Sequence, residues 1–236
     1  MLSPATYGLV GINIAVYLWM VLHGVSPTTP SSDALVHYGA NDAVRVLSNG
    51  EWYRVFTAIF LHVGIIHLAS NMWCLWNLGL LGEPLIGPFG LAAVYVLTGI
   101  AGNLLSLGVN VVWFRQESIG AGASGAVFGI AGILIVLLSN RKLPIPWPEL
   151  QRLRRSVVQF AVLNFVIGLG TVVIPVVRID NLAHLGGFTS GLALGVPLMP
   201  RMTAGRDKYL ARQKMVFPIA AFFLVLFAYL IYTLSR

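Results

Sequence analysis

The chain has 236 residues, of which 57% are hydrophobic and 10% charged, and its mean hydropathy is +0.82. A water-soluble domain carries about 25% charged residues, so 15 basic and 8 acidic side chains are too few to cover one, and a separate soluble catalytic domain is excluded. The formal net charge of +7 reads as the loop topology of a multi-pass membrane protein rather than as a nucleic-acid footprint.

Seven apolar segments approach the ~20 residues that cross a bilayer; they lie at roughly 6–24, 63–82, 88–109, 122–139, 154–176, 182–199 and 216–234. No Lys or Arg precedes Arg45, so the first segment lacks the basic start of a cleavable signal and is read as a retained span. The loop at 25–62 is the longest, broken by Pro27, Pro30 and a Ser/Thr cluster. The apolar run from Phe56 to Gly82 exceeds one untilted span. Its first part, with Trp52, Tyr53 and Arg54, is therefore placed in the membrane interface as part of that loop. The second span closes near Glu83, expected to be buried toward the inner end and to accept hydrogen bonds within the bundle. Cys74, the single cysteine, excludes an internal disulfide.

Charge sets the orientation. Arg141, Lys142, Arg152, Arg154 and Arg155 follow span four, and Arg201, Arg206, Lys208, Arg212 and Lys214 follow span six. Arg45, Arg54, Arg115, Arg178 and Arg236 fall on the other side. The positive-inside rule then places the N-terminus in the cytoplasm and the C-terminus outside, with spans two, four and six all beginning at the outer face.

Polar groups inside a bilayer are costly and mark candidate sites. Here they gather at those three beginnings: His62, His67 and Asn71 on span two, Gly120-Ala-Gly122-Ala-Ser124-Gly125 on span four, and Asn181-Leu-Ala-His184-Leu-Gly-Gly187 on span six. Gly125 and Gly129, and Gly187, Gly191 and Gly195, recur every four residues, a spacing that lets two helix backbones approach closely. Packing through those faces brings Ser124 toward His184, a hydroxyl beside an imidazole that acts as general base. His67 and Asn71, at i and i+4, share one face and both donate hydrogen bonds, which suits an oxyanion.

In this order the residues resemble the rhomboid family of intramembrane serine proteases. The resemblance runs from Glu51-Trp52-Tyr53-Arg54 through His62, His67, Asn71 and Glu83 to Gly122-x-Ser124-Gly125 and Ala183-His184-x-x-Gly187-x-x-x-Gly191. It implies an all-α membrane protein, a bundle of six core transmembrane helices over residues 1–200. A basic cytoplasmic loop and a seventh helix follow over 201–236. It further implies a catalytic dyad of Ser124 and His184, an oxyanion hole from His67, Asn71 and the Ser124 backbone N–H, and Gly122 in the turn beside the nucleophile. Phe128 stands where relatives often carry a tyrosine stacked on the catalytic imidazole, and the usual Trp-Arg pair is spread to Trp52-Tyr53-Arg54. Asp180, four residues before His184, is a conceivable third member that the family pattern argues against. The implied substrates are transmembrane segments of other proteins in the lipid bilayer of a bacterial-type plasma membrane. No metal, cofactor or nucleic acid is implied, and no oligomeric state is read from the sequence. A multi-pass transporter or channel, and an inactive relative that binds transmembrane helices, remain the competing readings.

Overall fold

The structure, a computed structural model, describes residues 3–173, 179–199 and 203–236. Helix α1 spans Pro4–Leu22, and the first loop carries the short helices α2 (Ser32–His37), α3 (Ala43–Leu47) and α4 (Arg54–Thr57). The long helices follow: α5 (Ile65–Gly108), α6 (Ser124–Leu137), α7 (Trp147–Val173), α8 (Asn181–Leu198) and α9 (Arg206–Leu234). Among the described residues the strands are two-residue pieces, β1 (Asn41–Asp42) and β2 (Ile119–Gly120), paired antiparallel with Asn41 opposite Gly120. The protein is an all-α membrane protein.

Among the described residues, four helical stretches are long and apolar enough to cross a membrane: Pro4–Leu22, Ile65–Trp113, Trp147–Gly170 and Arg206–Leu234. The second is 49 residues long, about 73 Å of helix against a hydrocarbon core of ~30 Å. It doubles back at Gly87, which leaves the helical region at φ 75° between Pro84 and Pro88. Both of its ends therefore meet the first loop: Ile65 N–H donates to the Pro27 carbonyl at 2.8 Å, and Asn103 donates to the Val55 carbonyl at 2.9 Å. The spans expected at 63–82 and 88–109 are its two limbs. Helices α6 and α8, of 14 and 18 residues, are shorter and sit at the centre of the bundle.

Two helices run past their apolar windows. Helix α7 starts at Trp147 instead of 154, because Pro148 suits a first helical turn and Glu149 favours a helix start. Helix α9 starts at Arg206 instead of 216, carrying Arg206, Lys208, Arg212 and Lys214 on helical turns. Hydropathy locates the bilayer crossing, whereas hydrogen bonding continues the helix into water. The expected end of span five at 176, with Arg178 and Arg201, lies outside the described residues.

Glu83 reaches across to another helix. It is 4% exposed, and its carboxylate accepts from Ala5 N at 3.0 Å and from Thr6 N and Thr6 Oγ1 at 2.8 and 2.7 Å. The free amides that open α1 are thus capped by a side chain of α5, where the helix dipole also favours negative charge. Exchanging Glu83 for Gln turns one acceptor into a donor facing donors. We expect the unfolding transition in detergent to shift down by an amount equivalent to about 1–3 kcal/mol, and an unchanged midpoint would remove this role.

The first loop is a packed unit. Arg54 is 3% exposed; its Nε donates to Glu51 Oε2 at 2.6 Å and its Nη1 to the Val36 carbonyl at 2.5 Å and the Ala40 carbonyl at 3.3 Å. The Arg54 guanidinium bonded to Glu51 holds that carboxyl below its ordinary range. Beneath the loop, Val46 and Val55 pack with Leu104 and Leu107 of α5, while Tyr53 and Phe56 stay exposed.

Candidate active site

The sharpest turn of the site is Gly122. Its φ is +146°, and its N–H donates to the Ala58 carbonyl at 2.9 Å, tying the segment before α6 to the first loop. A Cβ on Gly122 would lie 2.8 Å from His67 Cε1, 3.2 Å from His67 Nε2 and 3.7 Å from Ser124 Oγ. Gly122 therefore leaves open the space between the His67 ring and the Ser124 hydroxyl. His67 Nδ1 accepts from the Val63 N–H at 3.2 Å, which assigns the proton of the neutral ring to Nε2, the nitrogen facing that space.

Ser124 is the first residue of α6, and no side chain caps that helix, so its opening amides keep their donor capacity and the positive end of the dipole. Helix α8 lies directly against α6. A Cβ on Gly187 would collide with the Gly125 carbonyl and one on Gly191 with the Gly129 carbonyl, so backbone meets backbone. The Ala183 carbonyl stands 3.2 Å from where Gly125 would carry a Cβ, which makes Ser124 and His184 next-door residues on adjoining helices. No hydrogen bond joins the two side chains among the described residues. Such contacts are often long before substrate arrives.

His184 is 5% exposed. Phe128 stacks on its ring at 4.3 Å and 18°, and Phe165 of α7 presents an edge at 6.2 Å. Phe128 thus fixes the imidazole plane and touches the histidine, not the space at Gly122. His184 Nδ1 is buried without a partner among the described residues. Asp180, the conceivable third member, is engaged elsewhere: Oδ1 accepts from Ala183 N at 2.9 Å, capping α8, and Oδ2 accepts from Ser106 Oγ at 2.6 Å. Asn71 is buried beside His67, but its Nδ2 donates to the His67 carbonyl at 3.0 Å, along its own helix. The His62 ring lies 5.3 Å from that of His67.

Sequence reasoning missed three groups. Phe165 carries no signal that separates it from other apolar residues of α7. Ser106 is one small hydroxyl on α5, meaningful only through Asp180. The cap that Asp180 supplies was readable from its place three residues before Ala183, just ahead of a helix.

A helical membrane protein with a serine at a helix start, a buried histidine on the abutting helix and a second histidine across a glycine turn defines a narrow class. The family model described as "Rhomboid domain" matches residues 49–201, and the chain belongs to the rhomboid family of integral membrane proteins. It is 34% identical over 197 residues to "Rhomboid protease GluP" of Bacillus subtilis (strain 168), a match covering 81% of this chain and 35% of that protein. It is 35% identical over 177 residues to "RHOMBOID-like protein 1" of Arabidopsis thaliana, covering 75% and 42%. Against "Rhomboid protease AarA" of Providencia stuartii it is 30% identical over 207 residues, covering 81% and 71%. The match spans less than half the length of the first two of these relatives.

Proposed function

We propose that the chain is an intramembrane serine endopeptidase in which Ser124 is the nucleophile and His184 the general base. The observation that carries this reading is the open space at Gly122, which faces the Ser124 hydroxyl on one side and His67 Nε2 on the other. In this reading His184 takes the Ser124 proton as Oγ attacks a peptide carbonyl, and the carbonyl oxygen gains the negative charge. The Ser124 backbone N–H and His67 Nε2–H donate to that oxyanion, with the remaining N–H of Asn71 as a further donor. His184 then gives its proton to the leaving amine, and water hydrolyses the acyl-enzyme by the same route. Glu83, Gly125, Gly187 and Gly191 hold the helices in place without touching substrate.

Residues 1–200 form the catalytic core in this proposal, and 201–236 append the basic loop and α9. The N-terminus lies in the cytoplasm of a bacterial-type plasma membrane and the site opens outward, where water is available for hydrolysis. The substrates are transmembrane segments of other membrane proteins. A helical segment hides its peptide bonds in i→i−4 hydrogen bonds, so cleavage falls at an outer, Gly- or Ala-containing end that unwinds easily.

The test is purified protein in detergent or vesicles with a single-span substrate, the cut site read by mass spectrometry. Cleavage near the outer end is expected, and cleavage at the cytosolic end contradicts the orientation. Replacing His67 by Ala removes one oxyanion donor and is expected to slow turnover about 10²–10³-fold with the fold intact. An unaltered rate would exclude His67 from the oxyanion site.

A further inference from the structure

Helix α9 is anchored to the bundle near both ends, and a groove runs beside it along α5. Near its start, Gln213 is buried and donates to the Ile86 carbonyl at 2.7 Å, and Phe217 packs against Phe89 at 5.8 Å. Near its end, Ile231 is buried against Gly108. Leu224, Ala228 and Tyr232 of α9, Leu97 and Leu104 of α5 and Trp52 of the first loop line a cavity of about 780 Å³. It lies on the far side of α5 from Ser124 and belongs to no part of the proposed catalytic machinery.

We propose that this groove binds one anionic glycerophospholipid, its acyl chain between α9 and α5 and its phosphate at Arg236 and Arg45. Three observations favour this occupant. Its length, from Ala221 to Tyr232, is about 16 Å along the helix axis, matching the ~15 Å depth of one leaflet's hydrocarbon layer. Along that length its lining is apolar, from Leu97, Ile100 and Leu104 of α5 and Leu224, Val225 and Ala228 of α9, as an acyl chain requires.

Charge supplies the third. Among the described residues that line the groove none is charged, and its walls are apolar apart from the first-loop end, where Ser48, Asn49 and the tyrosines gather. Two arginines adjoin lining residues of that end, Arg236 through Tyr232 and Arg45 through the short helix that ends at Leu47. The Arg236 guanidinium lies over the Tyr232 ring at 4.3 Å, and Arg45 is half-exposed in the helix that leads into Leu47. Glu51 approaches Arg45 at 3.6 Å but is held more closely by Arg54 at 2.6 Å, so the mouth retains net positive charge. An acyl tail in the groove leaves its phosphate beside these two arginines.

The experiment is native mass spectrometry of the detergent-purified protein, incubated with phosphatidylglycerol or with phosphatidylcholine. One retained phospholipid per chain is expected, phosphatidylglycerol over phosphatidylcholine. Filling the groove with A228F should lower retention about tenfold, equivalent to ~1.4 kcal/mol, whereas F222A on the exposed face of α9 should leave it unchanged. R236Q should abolish the preference for phosphatidylglycerol while keeping phosphatidylcholine. Equal retention by wild type and A228F overturns the proposal, as does a mass of two chains in place of the lipid adduct, which would give the groove to a second copy. A second measurement does not depend on how A228F folds. Phosphatidylglycerol with a mid-chain diazirine should crosslink to the groove residues Leu97, Ile100, Leu224 and Ala228, and crosslinks confined to the outward residues Phe222 and Leu226 overturn the assignment.

Discussion

Changing Ser124 to Ala is expected to lower cleavage of a transmembrane substrate by about 10⁴-fold or more, to background, without moving the unfolding midpoint. The size follows from what nucleophile and base do together: without Oγ no acyl-enzyme forms, and without the imidazole the hydroxyl keeps its proton. Hence His184→Ala should fall to a similar level, and the double variant should be no slower than either single one, because residues that act as a unit are strongly non-additive. Ser124 is only part-buried at a helix start and its hydroxyl makes no hydrogen bond among the described residues, so the substitution removes no structural contact. Two independent multiplicative losses, or substantial cleavage by either single variant, would contradict the dyad.

The second large effect belongs to Gly187. A methyl group there collides with the Gly125 carbonyl, and backbone is the neighbour least able to move. Gly187→Ala must push α8 away from α6, and overpacking of this kind costs about 1–3 kcal/mol. The same displacement separates His184 from Ser124, and about 1 Å of misplacement costs roughly 10²-fold in rate. Both the unfolding midpoint and turnover should therefore drop. Gly8 of α1 has no atom within 4 Å of its would-be Cβ, so Gly8→Ala should hold or raise stability through helix propensity alone. Equal behaviour of the two substitutions would show that close approach at Gly187 does not matter.

How much of this the sequence carried depends on the kind of interaction. Local periodicity was legible: the glycine spacing identified the two helices that meet, and Pro84, Gly87 and Pro88 mark the place where α5 doubles back. The grouping of His67, Gly122 and Ser124 at one end of the bundle followed from span counting. Long-range polar contacts were not legible. That Glu83 accepts hydrogen bonds was expected from its place in an apolar run, but its partners at the start of α1 lie 77 and 78 residues away, and no pattern ties them together. Asp180 read as a conceivable partner of His184 because the two sit one turn apart, yet its oxygens face Ser106 and the opening amides of α8. Asn71 shows a related limit: sharing a helix face with His67 fixed its side, whereas rotamer and back-bonding decide where the amide points.

The first loop shows the same division. Its aromatic and basic residues suggested an interfacial segment, and Tyr53 and Phe56 are exposed there. The buried Arg54, with bonds to Glu51, Val36 and Ala40, makes the loop a folded unit, and its residues Leu47, Trp52 and Val55 line the groove beside α9.

The most direct measurement of the central claim is covalent labelling with a fluorophosphonate, in which a serine oxygen displaces fluoride from phosphorus and becomes phosphonylated. After proteolysis and mass spectrometry, the adduct is expected on Ser124 and on no other serine, with labelling lost in His184→Ala and slowed in His67→Ala. An adduct on another residue, or undiminished labelling of Ser124 in the absence of His184, would contradict it.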